Sequence, residues 1–193
     1  MDNINVEYLK GALIDIEIDN LLACKQDIDP SSFQQFVKDI NAAPEIIVLG
    51  SRASTVLVSY ASYILNKIGK RTSGFDAADT KILDTINNID RSALVISVCF
   101  SRYPKSTVVA TRFLKNRGYK IVGLTDQKNS PLNELSDYTF KLQANSYGFT
   151  DTYTSAMLLI NLLVAFIAKT QGNEIKRYLN DFNETAKQLE FYF

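Results

Sequence analysis

Short apolar segments of strand length alternate with helical segments through the middle of this 193-residue chain. The clearest are IIVLG at 46–50, ALVISVCF at 93–100 and KIVGLTD at 120–126. Continuous apolar runs of this length are typical of strands buried on both faces, which requires helices above and below the sheet. A weaker strand segment occurs at 71–75, and DYTFKLQ at 137–143 is expected to form the last strand. The pattern predicts an α/β fold, a three-layer αβα sandwich in which βαβ units wind a parallel sheet between helices.

The segments around these strands have the apolar spacing of helices. They cover 6–24, 33–40, 53–69, 77–87, 105–117, 151–169 and 175–189, with a short helical turn at 130–135. In the helix at 77–87, the expected buried face consists of Ile82, Leu83 and Ile86. The segment 151–169 is so apolar that we expect a fully buried helix, and its apolar stretch is too short to span a bilayer.

The composition disfavours several classes of function. The chain has no histidine, the commonest general base and metal ligand, so catalytic triads and zinc sites are disfavoured. Its 21 basic and 21 acidic residues cancel, which does not favour a nucleic-acid-binding surface. Cys24 and Cys99 are too far apart in sequence to form a metal-binding pair. We therefore predict no metal site.

The chain also lacks the sequence motifs of nucleotide cofactors and of export. Neither G-x-G-x-x-G nor a P-loop is present, so no cofactor is expected. The first residues lack the basic start and apolar core of a signal peptide. Since nothing in the sequence predicts a membrane partner, and two distant cysteines suit a reducing compartment, we expect a cytoplasmic protein.

Two strand–helix junctions place hydroxyl groups and an arginine where a helix begins. They are Gly50-Ser51-Arg52-Ala53-Ser54-Thr55, and the segment from Cys99 to Thr107, which reads CFSRYPKST. Ligands of such sheets bind beyond the carboxyl ends of the strands, where backbone N–H groups and the helix dipole attract anions. The alternative is structural, because serines at helix starts are commonly caps and an arginine there is commonly a solvated charge.

Three further polar residues follow later strands. Asp126 is expected to cap the turn toward Ser130-Pro131, with ligand contact as the alternative. Asp151 and Thr152 stand at the start of the helix at 151–169, where an N-cap role competes with ligand contact.

These segments, in this order and spacing, resemble the SIS (sugar isomerase) domain. The matching parts are GSRAS at 50–54, FSRY at 100–103, GYKIVGLTD at 118–126 and SPL at 130–132. More narrowly, they resemble the SIS domain of RpiR-type transcriptional regulators, which follows a helix-turn-helix domain and senses a phosphorylated sugar. The resemblance implies a five-stranded parallel sheet of the doubly wound, flavodoxin type, assembled as a dimer or tetramer. It also implies N-terminal helices at 1–43 that link or dimerise, and an SIS domain at 44–193.

The resemblance implies a phosphate site built from serines and threonines after the first and third strands. It places Ser51 and Ser54 in the first loop and Cys99 and Ser101 on the S-x-S part of the third-strand motif. Arg52 and Arg102 stand where the family has glycine, and Pro104 where it usually has threonine. The candidate ligand-binding set is Gly50, Ser51, Arg52, Ser54, Cys99, Ser101, Arg102, Tyr103 and Thr152.

The presence of arginine at positions 52 and 102, where the family has glycine, suggests a specific hypothesis. Two guanidinium groups at one cleft are unfavourable unless an anion lies between them. We expect Arg52 and Arg102 to clamp one phosphate or carboxylate, with Ser51, Ser54 and Ser101 orienting it.

The sequence leaves three functions open. The favoured one is an effector-binding, oligomerising sensor of an RpiR-type regulator, which binds a phosphosugar or sugar acid and reaches DNA only through a helix-turn-helix domain outside this chain. The second is an aldose–ketose sugar-phosphate isomerase, for which Glu134 is the nearest candidate base, although no catalytic residue is assigned. The third is a structural dimerisation domain with a nonfunctional pocket. Oligomerisation is expected because the leading helix, the helix at 151–169 and the final LEFYF carry much apolar surface.

Overall fold

The centre of the molecule is a five-stranded parallel sheet. The structure, a computed structural model, describes residues 5–191. The strands are β1 (Ile46–Gly50), β2 (Thr72–Asp76), β3 (Leu94–Val98), β4 (Lys120–Thr125) and β5 (Tyr138–Lys141). Their order across the sheet is β2-β1-β3-β4-β5, and every neighbouring pair is parallel. The predicted α/β class and doubly wound parallel sheet are confirmed.

Helices connect the strands and precede and follow the sheet. They are α1 (Val6–Asp27), α2 (Pro30–Ala42), α3 (Thr55–Lys67), α4 (Lys81–Ile86), α5 (Lys105–Asn116), α6 (Leu132–Leu135), α7 (Thr154–Thr170) and α8 (Gly172–Gln188). A 3₁₀ turn at Arg52–Ser54 leads into α3. Helix α4 is shorter than expected, because the carboxylates of Asp76 and Asp79 accept backbone N–H bonds from Ala78 and Lys81 and form turns before it.

Side chains alternate between the two faces of the sheet and build a core on each. Ile46 and Val48 pack against α2, α3 and α7, whereas Ile47 and Leu49 pack against α4 and the Leu114 side of α5. All residues of β1 and β3 are buried, as expected for central strands covered on both faces. This confirms the three-layer arrangement.

Two expectations about burial are wrong. Leu83 is exposed on α4, whose buried side chains are Ile82 and Ile86. Helix α7 is not fully buried: one side packs on the core, while Leu158, Leu162 and Phe166 on the other side are exposed. An apolar composition indicates that a helix is at least partly buried. It does not indicate how many sides of the helix are covered by other elements of the same chain.

Within residues 5–191, no single helix is long and apolar enough to cross a membrane. Helices α7 and α8 reach that length and composition only as a pair, which is bent by 103° at the break.

The register places the ends of the strands together at one edge. Gly50 is paired with Val98, and Val98 with Leu124. Because the strands are parallel, the segments that follow β1, β3 and β4 all leave the sheet at this edge. These are the segments in which the sequence places its candidate site.

Candidate functional site

A cavity of about 880 Å³ opens at the carboxyl edge of the sheet. Its walls come from the loop after β1, the loop after β3, the residue after β4 and the long loop between β5 and α7. The lining residues include Ser51, Arg52, Ser54, Ser101, Arg102, Pro104, Lys105, Ser106, Asp126, Ala144, Ser146 and 148–153. This is the position at which parallel α/β sheets bind ligands.

The loop after β1 is closely packed. A Cβ atom on Gly50 would lie 3.0 Å from the carbonyl oxygen of Val98 and 3.1 Å from a methyl group of Val58, so glycine suits the narrow space. Ser51 and Ser54 are buried. Arg52 stands between them with φ at 58°, in the left-handed region that favours glycine. The turn therefore holds the Arg52 backbone in an uncommon conformation and leaves its side chain exposed at the cavity.

Hydroxyl groups join the first loop to the third-strand loop. The Oγ atoms of Ser51 and Ser106 are 2.8 Å apart, and Thr107 Oγ1 donates to Ser51 Oγ over 3.1 Å. Thr107 is fully buried, and a second hydroxyl pair, Ser97 with Thr111, lies nearby at 2.7 Å. The two loops are thus held together by neutral hydrogen bonds beneath the cavity floor.

The loop after β3 is held by a carboxylate. Asp126 accepts hydrogen bonds from the backbone N–H of Ser101, at 3.1 Å, from the Ser101 hydroxyl, and from the Tyr103 hydroxyl, at 3.0 Å. Arg102 lies between these two anchors with φ at 68°, and Tyr103 has φ at 23°. The expectation that Asp126 caps the turn at Ser130 is wrong; the Ser130 N–H donates to the carbonyl of Gln127 instead.

Burial and Asp126 shape the acid–base behaviour of this loop. Burial, reinforced by the nearby carboxylate of Asp126, raises the pKa of the Cys99 thiol to about 12. The same two causes raise the pKa of Tyr103 to about 12. Both groups are therefore neutral at physiological pH, so the charge at this loop comes from Arg102, Lys105 and Asp126.

Helix starts surround the cavity. Helix α5 begins at Lys105 and α7 at Thr154, and neither has a side-chain cap. The 3₁₀ turn before α3 begins at Arg52, also without a side-chain cap at Ser51. Uncapped N–H groups and the positive ends of the helix dipoles attract anions, and Arg52, Arg102 and Lys105 add full positive charges. Asp126 and Asp151 are the carboxylates of the same lining.

The structure brings together six of the nine predicted site residues. Ser51, Arg52, Ser54, Ser101, Arg102 and Thr152 line the cavity. The other three, Gly50, Cys99 and Tyr103, are not among the described lining residues: Gly50 shapes the first turn, Cys99 is fully buried, and Tyr103 anchors the third-strand loop through Asp126. Thr152 and Asp151 precede α7 rather than open it, because the helix begins at Thr154.

Sequence reasoning missed several lining residues. Lys105 and Ser106 lie in the junction that the sequence singled out, directly after Pro104, and their position before a helix was the available signal. The segment 144–150 carried no comparable signal, since it is a polar loop without a recognised motif. Among residues 5–191, no group of three His, Cys, Asp or Glu side chains is arranged to hold a metal ion.

Comparisons with known proteins agree with this architecture. The family model of the SIS domain matches residues 39–166. In sequence, the chain is similar to the glutamine–fructose-6-phosphate aminotransferase (isomerizing) of Pyrococcus horikoshii, with 23% identity over 135 residues, which are 68% of this chain and 23% of that protein. The chain spans only about a quarter of the length of the curated relatives it matches.

Solved structures share the fold. The sugar isomerase domain of an RpiR transcription factor from Sphaerobacter thermophilus superposes with a TM-score of 0.87 at 24% identity, covering 91% of this chain and 98% of that one. The Vibrio vulnificus NanR protein, in complex with ManNAc-6P, superposes with a TM-score of 0.80 at 23% identity, covering 94% of this chain and 69% of that one. At these identities the likeness establishes the fold.

Proposed function

The chain belongs to the SIS domain family, and from this premise we propose that it is the effector-binding module of an RpiR-type transcription regulator, with a phosphosugar or sugar acid as its ligand. One observation carries the proposal: three cationic side chains and three uncapped helix starts lie around a cavity whose lining also includes several serine and threonine hydroxyls. Such a site suits a ligand with an anionic group and several hydroxyls.

The anionic group of the ligand is expected to lie between the two arginines. Arg52 and Arg102 follow neighbouring strands at the same edge of the sheet, two residues beyond Gly50 and four beyond its partner Val98. Both line the cavity and both are exposed. A guanidinium group offers two parallel N–H donors to a phosphate or carboxylate, and bringing two of these cations near each other is favourable when an anion neutralises them.

The rest of the ligand is expected to meet neutral and acidic groups. Ser101, Ser106 and Thr152 can donate or accept hydrogen bonds, and the carboxylates of Asp126 and Asp151 accept them from sugar hydroxyls. A lining that combines cationic, carboxylate and hydroxyl groups fits a molecule that carries both an anionic group and several hydroxyls. The NanR complex with ManNAc-6P supports a ligand of this class.

Self-association and a link to DNA complete the proposal. Helix α1 exposes Ile14, Ile18 and Leu22, and α7 exposes Leu158, Leu162 and Phe166, so much apolar surface is left uncovered within one chain. We expect a dimer or tetramer, which light scattering at micromolar concentration should show; a monomer would contradict it.

The last two residues of the LEFYF segment lie outside the described residues. In this proposal, 1–43 links or dimerises, 44–193 binds the ligand, and a helix-turn-helix domain outside this chain contacts DNA in the cytoplasm.

The alternative is a sugar-phosphate isomerase, which the two cavity carboxylates favour because an isomerase needs a base. The base expected from the sequence, Glu134, does not support it: this residue is exposed on α6 and is not among the lining residues, and its carbonyl accepts a hydrogen bond from Lys115. We expect no isomerase activity in a screen of pentose, hexose and hexosamine phosphates. Turnover well above background that Asp151→Asn abolishes would replace the sensor proposal.

A titration of the arginine pair tests the proposal. Calorimetry should show that the wild type binds one or more members of a panel of sugar phosphates and sugar acids. Replacing Arg52 or Arg102 by alanine should each weaken that binding by about 1.5–3 kcal/mol, the range for a hydrogen bond to a charged group. Lysine should restore only part, because it lacks the planar fork.

The matched control is Arg112→Ala, which removes an exposed arginine of α5 outside the cavity lining. It should leave binding unchanged. If the wild type and the Arg52→Ala/Arg102→Ala double variant respond identically to every anion, the two arginines do not form the binding site.

A further inference from the structure

A buried asparagine in α1 is hydrogen-bonded to the loop that walls the cavity. Asn20 is 1% exposed. Its Nδ2 donates to the carbonyl oxygen of Asn145 over 2.8 Å, and its Oδ1 accepts from the N–H of Asn145 over 3.1 Å. One side-chain amide thus pairs with both backbone groups of a single residue 125 positions away in the chain.

The paired residue belongs to the cavity wall. Ala144 and Ser146, on either side of Asn145, both line the cavity, as do residues 148–153 farther along the same loop. The far end of this loop is also bonded to α1, because the Ser155 hydroxyl, in the first turn of α7, donates to the backbone carbonyl of Asn20 over 3.0 Å. Asn20 therefore holds both ends of the loop between β5 and α7.

A second contact reinforces the link near the end of α1. The carboxylate of Asp27 lies 3.6 Å from Lys141 Nζ and accepts from Gln143 Nε2 over 3.4 Å. The tip of the loop, by contrast, is open to solvent: Phe149 is fully exposed, and Gly148 has a positive φ of 64°. The loop is thus fixed to α1 at its base while its tip lies free at the mouth of the cavity.

The energetic cost of burying an asparagine in a helix indicates that Asn20 depends on its hydrogen bonds to the loop. Asparagine is a poor helix former, and a buried amide that loses its partners costs much more than an apolar side chain at the same place. The position is therefore stable only while the loop base stays against α1. Any change in the loop that stretches these bonds is opposed by the helix, and any movement of the helix displaces the loop.

We propose that Asn20 is a positioning residue of the ligand cavity, which fixes the loop between β5 and α7 and couples occupancy of the cavity to α1. The inference rests on the proposed function for the identity of the ligand class, and it deepens that function by naming the element through which binding is transmitted. Coupling of this kind is reciprocal: if the ligand steadies α1, then fixing α1 strengthens the binding of the ligand.

The chain offers a chemically matched control. Asn66, at the end of α3, pairs in the same way with one residue: its Nδ2 donates to the carbonyl of Thr72 over 2.6 Å, and its Oδ1 accepts from the Thr72 N–H over 3.1 Å. Thr72 begins β2, so this pair lies at the amino edge of the sheet, opposite the cavity. Asn66→Ala removes the same pair of bonds to one backbone residue, together with a bond from Nδ2 to the Ser62 carbonyl, without touching the cavity wall. Because Asn66 is exposed whereas Asn20 is buried, the variant controls for loss of the amide pairing and not for burial.

The experiment compares wild type, Asn20→Ala, Asn20→Asp and Asn66→Ala, each in the full chain. Calorimetry with ManNAc-6P, fructose 6-phosphate and inorganic phosphate measures binding, and amide hydrogen exchange measures order in 144–153 and in α1. Asn20→Asp keeps an acceptor for the Asn145 N–H but sets a carboxylate against the Asn145 carbonyl, so it tests the link with little change in volume.

We expect both Asn20 variants to weaken binding of the sugar phosphates by at least about fivefold, the equivalent of one lost net hydrogen bond, and Asn66→Ala by less than about twofold. Without ligand, exchange in 144–153 should be faster in the Asn20 variants alone. With ligand, exchange around Asn20 should slow in wild type and in Asn66→Ala, and not in the Asn20 variants.

The outcomes separate this inference from the proposed function. If wild type binds none of the sugar phosphates, the proposed ligand class fails, while the ligand-free exchange comparison still tests the anchor. If Asn20→Asp and Asn66→Ala bind and exchange alike, Asn20 has no positioning role. If a probe binds wild type and amide exchange in α1 does not change, the coupling of the cavity to α1 is wrong. This test needs only the wild-type protein, so it holds even if both Asn20 variants fail to fold.

Discussion

The loops after β1 and β3 place an arginine at the same edge of the sheet by different means. In the first, Ser51 and Ser54 are buried around Arg52, and neutral hydroxyls of Ser106 and Thr107 hold Ser51 from below. In the third-strand loop, Ser101 and Arg102 are exposed, and a carboxylate from the next strand holds the backbone from the side. Both arginines nevertheless have a left-handed backbone.

The two loops therefore illustrate two ways of stabilising a left-handed backbone conformation at an arginine. Closely packed neutral groups restrict the first loop, so its shape depends on fit and on small hydrogen bonds. A single ionised group restricts the third-strand loop, so its shape depends on one charge. Because hydrogen bonds to a charged group are about twice as strong as neutral ones, loss of the charge should have the larger effect.

Removing the Asp126 carboxylate is the strongest test of this difference between the two loops. Asp126→Ala deletes the acceptor of three hydrogen bonds, including a backbone N–H. We expect the free energy of unfolding to fall by about 2–3 kcal/mol, measured by urea denaturation. The control is Asp151→Ala, which removes another cavity carboxylate at an exposed position and should change stability by less than about 0.5 kcal/mol. Equal losses in the two variants would show that Asp126 is no anchor.

The corresponding change in the first loop should be smaller. Ser51→Ala removes the partner that Ser106 and Thr107 share, and leaves the buried Thr107 hydroxyl with one contact fewer. We expect a loss of about 1–1.5 kcal/mol in the free energy of unfolding, the net value of neutral hydrogen bonds. A loss greater than that of Asp126→Ala would reverse the order of the two loops.

The fold was predictable because its signals are local. The apolar runs at 46–50, 94–98 and 120–125 indicate burial on both faces by themselves. The end of β3 was less well defined, because the apolar Cys99 and Phe100 continue the run beyond Val98. For α7 the apolar composition supported two expectations, full burial and a surface for self-association, and it could not show which side chains one chain leaves uncovered.

The site was predictable only in part. Ser51, Arg52, Ser101 and Arg102 lie within four residues of the ends of neighbouring parallel strands, so the topology brings them to one edge. The orientation of Cys99 was not accessible, since a continuous apolar run gives no alternation to show which side chains face the core. The pairing of Asn20 with Asn145 joins residues 125 positions apart, and nothing local to either one predicts the other.

Alkaline pH should lower the free energy of unfolding in part through Cys99, in the third-strand loop. The ordinary pKa of the Cys99 thiol is 9.0, and the folded protein raises it to about 12 by burial, with a contribution from Asp126. Between these values the unfolded chain loses the proton and the folded chain keeps it, so stability that is complete below pH 9 declines as pH rises toward 12.

At pH 10 the expected loss from this group is about 1.3 kcal/mol relative to pH 8. Urea denaturation at pH 8, 9 and 10 measures it. Cys99→Ala should shift stability at every pH but show a flatter decline, and parallel curves for wild type and variant would rule out a contribution from Cys99.

The smallest expected effect compares glycine with alanine at the two arginines. A left-handed residue with a Cβ atom costs about 1–2 kcal/mol, whereas glycine adopts this conformation freely, although it also gains entropy in the unfolded chain. Arg102→Gly should therefore be more stable than Arg102→Ala by about 0.5–1 kcal/mol, and Arg52→Gly should show the same relation to Arg52→Ala. In each pair the charge is lost equally, so ligand binding should be equally weak. The result would show that both loops hold a strained backbone in order to present a cation, which is a cost that a structural turn with glycine would avoid. A different result is also informative: Arg102→Gly and Arg102→Ala equally stable, but Arg52→Gly more stable than Arg52→Ala. It would mean that the Asp126 hydrogen bonds relieve the backbone strain at position 102, whereas packing in the first loop does not relieve it at position 52.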